Sequence, residues 1–122
     1  MPTRNEVGQW GEAIAAKYLS EHGYTIRHRN WRYDHGELDI VAELNGCIHF
    51  VEVRLRRSDQ FGKPDETLSL RKQAKLVATS QAYLEKNELI DTAAQIDVIV
   101  IELGPRNTVA RLEHLECAIA AA

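Results

Sequence analysis

Residues 36–57 read GELDIVAELNGCIHFVEVRLRR and decide the fold, because they describe one β-hairpin. Apolar and polar residues alternate on both sides of Asn45 and Gly46. An Asn-Gly pair between alternating runs is the strongest short-range signal for a two-residue type I′ turn. The turn fixes the pairing of the strands: Leu44 faces Cys47, and each further pair lies one residue outward on both strands. On one face, this register pairs Ile40 with Val51 and Leu38 with Val53.

This register predicts a pair of opposed carboxylates. Asp39 falls opposite Glu52, and Glu37 falls opposite Arg54. Directly opposed side chains have Cβ atoms about 5 Å apart, so like charges repel there unless a proton or a cation lies between them. Carboxylate oxygens are suitable ligands for Mg²⁺ or Mn²⁺. The hairpin therefore predicts a metal site at Asp39 and Glu52, with Arg54 beside it.

The alternative is that both acids lie on a solvated sheet face, which is the more common situation of an isolated acidic pair. Phe50 and Ile48 share the predicted face with Glu52, and these apolar side chains argue against full solvation. Burial of a carboxylate costs on the order of several kcal/mol unless a positive group compensates it. The sequence therefore raises the question of which cation accompanies Glu52.

The rest of the chain predicts elements around this hairpin. Apolar residues recur at helical spacing before Gly23, the expected helix stop, and Asn5 is a suitable N-cap. YTIRHRNWRY predicts a strand, and the range Leu70 to Lys86 predicts a second long helix. QIDVIVIEL predicts a buried strand, and TVARLEHL a last strand or edge. The order α-β-β-β-α-β-β fits an α/β or α+β protein with a mixed central sheet flanked by helices.

Length and composition bound the function. The chain has 122 residues and 44% hydrophobic content, which predicts a single domain over residues 1–122. Its net charge of −3 excludes a strongly basic nucleic-acid coat protein. Two cysteines without a CxxC spacing predict neither a disulfide framework nor a zinc site. The N-terminus lacks an apolar signal region, and no apolar run approaches the roughly 20 residues of a membrane span, so we expect a cytoplasmic protein without membrane association.

Arginines cluster on the predicted strands and give candidate phosphate contacts. Arg29 and Arg32 alternate with polar and aromatic residues, a mixture that can contact a phosphate backbone and stack on a base. The alternative for this stretch is an exposed strand face with a core Trp31. Arg56 and Arg57 continue the second hairpin strand into the loop SDQFGKPDE, where phosphate contacts are natural.

Several short stretches occur in one order over nearly the whole chain: GEAIAAKYL, GYTIRHRNWR, GELDIVA, FVEVRLR, FGKPDETL, RKQAKLVATSQAYL and IDVIVIEL. Together they resemble the YraN-like family, uncharacterised protein family 0102, whose members are similar to nucleases of the PD-(D/E)xK, restriction-endonuclease-like fold. The resemblance implies that fold here. It also implies that Asp39, before the hairpin turn, and Glu52, the acid of the E-x-K element, hold a divalent metal.

The resemblance implies further site residues. Glu12 matches the family's helix acid, and Glu37 matches the acid of its GEID element, both in the outer part of the site. The position of the motif lysine is Arg54 here, where the family normally reads FVEVK. Arginine is always protonated and cannot be a general base, although it can stabilise developing phosphorane charge. Lys72 matches a family lysine at the start of the second long helix and can approach a phosphate.

Three functional hypotheses follow. The leading one is a nuclease-fold protein that needs Mg²⁺ or Mn²⁺, binds nucleic acid, with DNA favoured over RNA, and hydrolyses phosphodiesters. The second is a nucleic-acid-binding module whose catalysis is impaired because Arg54 replaces lysine. The third is a structural or protein-interaction domain. Resemblance to junction-cleaving nucleases implies a possible homodimer.

Asp97 lies in a strand of isoleucine and valine. A third site acid and a hydrogen-bonded structural residue explain this position equally well, so Asp97 is not assigned to the site.

Overall fold

The structure is a computed structural model that describes residues 3–57 and 68–120, with the backbone alone for residues 4 and 5. The whole loop SDQFGKPDE, residues 58–66, therefore lies outside the described residues. The elements in chain order are α1 (Arg4–Glu21), β1 (Thr25–Tyr33), β2 (Gly36–Leu44), β3 (Cys47–Arg57), α2 (Leu70–Lys86), β4 (Ala93–Leu103), a 3-10 turn (Pro105–Asn107) and β5 (Val109–Ile119). This order confirms the predicted α-β-β-β-α-β-β arrangement.

The five strands form one mixed sheet in the order β1-β2-β3-β4-β5. Strands β3 and β4 are parallel, whereas the other neighbouring pairs are antiparallel. Parallel neighbours need a long crossover, and α2 lies within the connection between β3 and β4. No helix among the residues that the structure describes is long and apolar enough to cross a bilayer.

Each face of the sheet carries an apolar core, so its central strands are buried on both sides. The α1-side core consists of Ala15, Leu19, Tyr24, Ile40, Ala42, Val51, Ile99, Ile101 and Leu103. The α2-side core consists of Leu38, Val41, Ile48, Phe50, Leu76, Tyr83, Ile96, Val98 and Ile119. The predicted mixed sheet flanked by helices is thereby confirmed.

The hairpin turn forms where the sequence predicts it. Asn45 and Gly46 have φ values of 51° and 78°, as a type I′ turn requires. The paired register runs from Leu44 opposite Cys47 to Ile40 opposite Val51, which confirms the predicted pairing next to the turn.

Strand alternation breaks at Asp39, and here one prediction is wrong. The sequence places Leu38 opposite Val53 on the face that carries Ile40. In the structure Leu38 packs in the α2-side core, whereas Ile40 packs in the α1-side core with Val53 against it. The β2–β3 register described for the chain ends at Ile40 and Val51, while β2 remains paired with β1. The two hairpin strands therefore separate at Asp39.

The N-terminus of α1 also differs from the prediction. The N-cap is Thr3, whose side-chain oxygen accepts a hydrogen bond from the Glu6 N–H at 3.1 Å. Thr3 and Glu6 have the spacing of a capping box, which the prediction of Asn5 as N-cap overlooked. The helix ends before Gly23, which has a φ of 91° as expected for a helix stop.

Candidate active site

Four carboxylates come together where β2 separates from β3. Glu12 comes from α1, Glu37 and Asp39 from β2, and Glu52 from β3. One oxygen from each of Glu12, Glu37 and Asp39 lies within 4.8 Å of the others. The side chain of Asp39 is hydrogen bonded to that of Glu52. We call these four residues the acid cluster.

Backbone separation positions Asp39. Because Leu38 and Ile40 face opposite cores, the Asp39 side chain between them is directed towards the neighbouring strand, and its Oδ2 accepts the Val53 N–H at 2.9 Å. This hydrogen bond satisfies a backbone donor that a regular ladder would pair with β2. The carboxylate is thus fixed in the gap between the strands.

Close helix packing positions Glu12. A Cβ atom on Gly11 would lie 2.8 Å from Leu55 Cδ2, so glycine allows α1 to approach β3 closely. Glu12 follows directly on the border of the apolar helix face. Its Oε1 is buried and has no hydrogen-bond partner among the described residues. A partner that fills this position must donate a hydrogen bond or carry positive charge.

Burial and mutual repulsion disturb the titration of this cluster. The pKa of Asp39 rises to about 8, first because of burial and then because of the charge on Glu52, while the Val53 hydrogen bond opposes the rise. The pKa of Glu12 is also raised, mainly by burial, although a hydrogen bond from Asn30 lowers it. With a pKa of about 8, Asp39 therefore holds a proton at neutral pH.

Lys72 is the cation that accompanies Glu52. Glu52 is only 5% exposed, and its Oε2 lies 3.1 Å from Lys72 Nζ. Lys72 lies in the first turn of α2, where Ser69 Oγ accepts its backbone N–H. The cap orients the start of α2 so that the lysine reaches across to β3. Phe50 packs in the α2-side core, so the face that carries Glu52 is not fully solvated.

The predicted phosphate-contacting arginines lie at different distances from the cluster. Arg29 is exposed on β1 and its charge acts on Glu12, lowering that acid's pKa against the larger effect of burial. Arg32 Nε lies 3.4 Å from Glu37 Oε2. The β2–β3 register ends at Ile40 and Val51, so the predicted strand pairing of Glu37 with Arg54 does not form. Arg54 and Arg56 are half-buried further along β3, and Arg57 is exposed at its end.

An open depression borders the cluster through Glu37. Its volume is about 370 Å³, and its lining residues are Arg32, Tyr33, Asp34, His35, Gly36 and Glu37. Lys75 Nζ donates a hydrogen bond to the Asp34 carbonyl at 2.7 Å and ties α2 to this turn.

Sequence reasoning missed Asn30, which hydrogen bonds to Glu12. Asn30 has a φ of 55°, so it departs from extended geometry within β1. Asparagine tolerates this left-handed conformation better than most residues, and its occurrence inside a strand-like run was the available signal.

These features define a class of protein: a small α/β domain whose central hairpin opens at one end and collects carboxylates there. The chain belongs to the uncharacterised protein family UPF0102, whose family model matches residues 11–101. The matched range includes the acid cluster and Lys72.

Relatives in this family match over most of their length. A UPF0102 protein of Roseiflexus castenholzii is 39% identical over 117 residues, covering 95% of this chain and 94% of the relative. One from Bacteroides thetaiotaomicron is 40% identical over 116 residues, covering 95% and 93% respectively. One from Trichlorobacter lovleyi is 45% identical over 98 residues, covering 80% and 77%.

Among solved structures, the chain is similar to SfsA of Pyrococcus furiosus in complex with Ca²⁺. The TM-score is 0.39 at 15% identity, and the match covers 93% of this chain. The matched region spans 64% of the SfsA chain. A likeness at this level carries no argument about function.

Proposed function

We propose that this protein is a metal-dependent nuclease that binds nucleic acid, with DNA favoured over RNA, and hydrolyses phosphodiester bonds. The observation that carries the proposal is the acid cluster with Lys72 Nζ 3.1 Å from Glu52 Oε2. Clustered carboxylates that can hold a metal ion, with an ammonium group next to them, are the charges that phosphodiester hydrolysis requires. The resemblance to PD-(D/E)xK nucleases agrees with this chemistry.

The acid cluster fits a hard divalent cation. Its donors are carboxylate oxygens, which Mg²⁺ and Mn²⁺ prefer. Within residues 3–57 and 68–120, the buried Glu12 Oε1 has no hydrogen-bond partner, and the carboxyl groups of Asp39 and Glu52 are in contact. Asp39 and Glu52 would hold the ion, with Glu12 and Glu37 on its outer side. When bound, such an ion polarises a phosphoryl oxygen and lowers the pKa of a coordinated water.

Lys72 supplies the ammonium that the hairpin lacks. Arg54 occupies the position of the motif lysine on β3, and its guanidinium cannot accept a proton at ordinary pH. Lys72 reaches Glu52 from α2 and can donate hydrogen bonds to the attacking water or the scissile phosphate. Arg54 then contributes positive charge next to the phosphate, where negative charge develops in the transition state.

Nucleic acid is held through its phosphates. Arg29 and Arg32 lie beside Glu12 and Glu37, and Arg57 is exposed at the end of β3. Together with Arg56, these residues place positive charge on β1 and on β3, the two strands that flank β2. Contacts to phosphate position a substrate without reading its sequence, so we propose binding with little sequence preference.

A cleavage assay tests the proposal. Wild type with Mn²⁺ or Mg²⁺ is compared with Asp39→Asn and Glu52→Gln on single-stranded, duplex and branched DNA. We expect metal-dependent cleavage by wild type and a loss of roughly 100-fold or more in both variants. Glu85→Gln, an exposed acid on α2, is the matched control and retains activity. Cleavage without metal, or cleavage unchanged in Glu52→Gln, would overturn the proposal.

The second candidate is a nucleic-acid-binding module with impaired catalysis, and the arginine at position 54 favours it. It predicts salt-dependent binding of DNA by wild type without cleavage. Cleavage that appears only in Arg54→Lys would select this candidate. A structural or protein-interaction domain would show neither binding nor cleavage.

A further inference from the structure

A second group of titratable side chains lies beside Tyr24 of the α1-side core. It contains His49 from β3, Asp97 from β4 and Glu116 from β5. One nitrogen or oxygen atom from each of these three residues lies within 4.8 Å of the others. His49 precedes Glu52 by three residues, so the two backbones are roughly 10 Å apart along β3. The proposed nuclease chemistry makes no use of this group.

We propose that His49, Asp97 and Glu116 form a binding site for a transition-metal ion such as Zn²⁺. An imidazole nitrogen with two carboxylate oxygens is a donor set that suits Zn²⁺, Co²⁺ or Mn²⁺. The acid cluster offers only oxygen donors, so the imidazole makes this second site better suited to a softer ion. The two sites therefore select ions by different chemistry.

Neighbouring groups hold both carboxylates of the second site. Asp97 Oδ1 accepts hydrogen bonds from Gln95 Nε2 at 2.9 Å and from the Cys117 N–H at 3.0 Å. The same Gln95 nitrogen lies 3.4 Å from Glu116 Oε1. The Gln95 amide group thus orients the carboxylates of both Asp97 and Glu116, as hydrogen-bonding groups around metal ligands do.

The imidazole is also fixed in place. His49 Nδ1 lies 2.7 Å from Asp97 Oδ2, and the Tyr24 ring packs against His49 edge to face at 5.0 Å between ring centres. His114 Nε2 approaches the same Asp97 oxygen at 2.9 Å. Because the Asp97 carboxylate only accepts, the 2.7 Å contact places a His49 proton on Nδ1. Metal binding would require the neutral ring to carry its proton on Nε2 instead, which frees the Nδ1 lone pair as the ligand.

A network of hydrogen bonds without an ion is the rival explanation of these contacts. His49 and Asp97 are 4% and 0% exposed, and the donors around Asp97 satisfy its buried carboxylate. Glu116 separates the two accounts because it is exposed. As a metal ligand Glu116 determines affinity, whereas in the ion-free network its side chain makes a long contact, 3.4 Å, with Gln95 Nε2.

Cobalt titration tests the site in the full chain. Metal-stripped protein is titrated with Co²⁺ while its visible ligand-field absorption is recorded, and Zn²⁺ is then added as competitor. We expect saturable Co²⁺ binding that persists in Asp39→Asn and weakens roughly tenfold or more in Glu116→Gln. Glu113→Gln removes another exposed β5 acid and leaves the titration unchanged. Absence of cobalt absorption, or equal affinity in Glu116→Gln, would overturn the inference.

A second measurement follows the imidazole itself and needs no substitution in the buried network. The ¹⁵N signals of the histidine rings are recorded before and after addition of Zn²⁺. We expect the Nδ1 signal of His49 to shift, while the signals of the exposed His35 stay unchanged. A His49 signal that does not respond to Zn²⁺ contradicts the proposed ligand. Asp39→Asn leaves the second site intact. Failure of the second-site inference is therefore distinguishable from failure of the nuclease proposal.

Discussion

Lys72 of α2 and Glu52 of β3 form an ion pair between the helix and the sheet, with 3.1 Å between Nζ and Oε2. The pair explains how an acid can lie in an apolar strand, because the lysine compensates the buried charge. It also brings a flexible ammonium group to the acid cluster, although the strand itself carries arginine at the motif position.

Replacement of Lys72 should separate its roles in stability and activity. Lys72→Met removes the ammonium, and we expect cleavage to fall roughly 100-fold, while stability falls by about 1 kcal/mol because the lysine is half exposed. Arg71→Met, an exposed neighbour on α2, is the control. Single-turnover cleavage and urea denaturation measure the two effects. Full activity in Lys72→Met would assign no catalytic part to this residue.

Asp39 makes stability depend on pH. Its pKa is about 8 in the folded protein against an ordinary value of 3.8 for an aspartate, so the folded state binds an extra proton between these limits. This group therefore destabilises the fold progressively as pH rises from about 4 to 8. Asp39→Asn keeps an acceptor for the Val53 N–H and removes the effect.

We expect Asp39→Asn to be more stable than wild type at pH 9, by roughly 1–3 kcal/mol, and to show a smaller difference at pH 5. Urea denaturation in the presence of a chelator measures this, since bound metal would mask the repulsion. A stability difference independent of pH would show that Asp39 is ionised throughout the range.

Gly36 is required by the packing of α2 against the β1–β2 turn. A Cβ atom there would clash with Thr79 Oγ1 and lie 3.1 Å from Thr79 Cβ, so the Thr79 side chain or α2 must shift. We expect Gly36→Ala to cost about 1–3 kcal/mol in thermal or urea unfolding. Gly8→Ala, with nothing within 4 Å of the added Cβ, should be neutral or stabilising by up to about 1 kcal/mol. Equal effects of the two substitutions would be inconsistent with this packing.

Thr3 should account for the start of α1. Its hydroxyl oxygen accepts the Glu6 N–H at 3.1 Å, so Thr3→Ala should cost about 1 kcal/mol of unfolding free energy. Thr3→Ser retains the oxygen and serves as the control. Circular dichroism during thermal unfolding gives both values, and a larger loss in Asn5→Ala than in Thr3→Ala would restore the cap predicted from sequence.

Local signals in the sequence predicted much of this fold. The Asn45–Gly46 turn determined the hairpin register because its backbone conformation admits few residues. Helical spacing and strand alternation gave the element order. The break at Asp39 escaped prediction because GELDIVAEL shows no interruption in its pattern. That break depends on how each neighbour packs in three dimensions, with Leu38 and Ile40 entering opposite cores.

The candidate site was less accessible to sequence reasoning. The turn brought Asp39 and Glu52 together, and the structure places them in contact. The grouping of Glu12, Glu37 and Asp39 depends on the approach of α1 to β3, which no local pattern encodes. The Glu52–Lys72 pair likewise joins elements distant in sequence. Resemblance had named both Glu12 and Lys72, but it could not say which partner each would have.

The Asp39 carboxylate has two roles. It accepts a hydrogen bond from the Val53 N–H where the hairpin strands separate, and it also faces the other acids. Most replacements would damage architecture and chemistry together, so an inactive variant would be hard to distinguish from an unfolded one. Asparagine separates the two roles because its amide oxygen can still accept the Val53 N–H but carries no charge. A survival screen for folding can compare asparagine and alanine at position 39. If asparagine is tolerated and alanine is not, the fold depends on a side-chain acceptor that the proposed catalysis also uses.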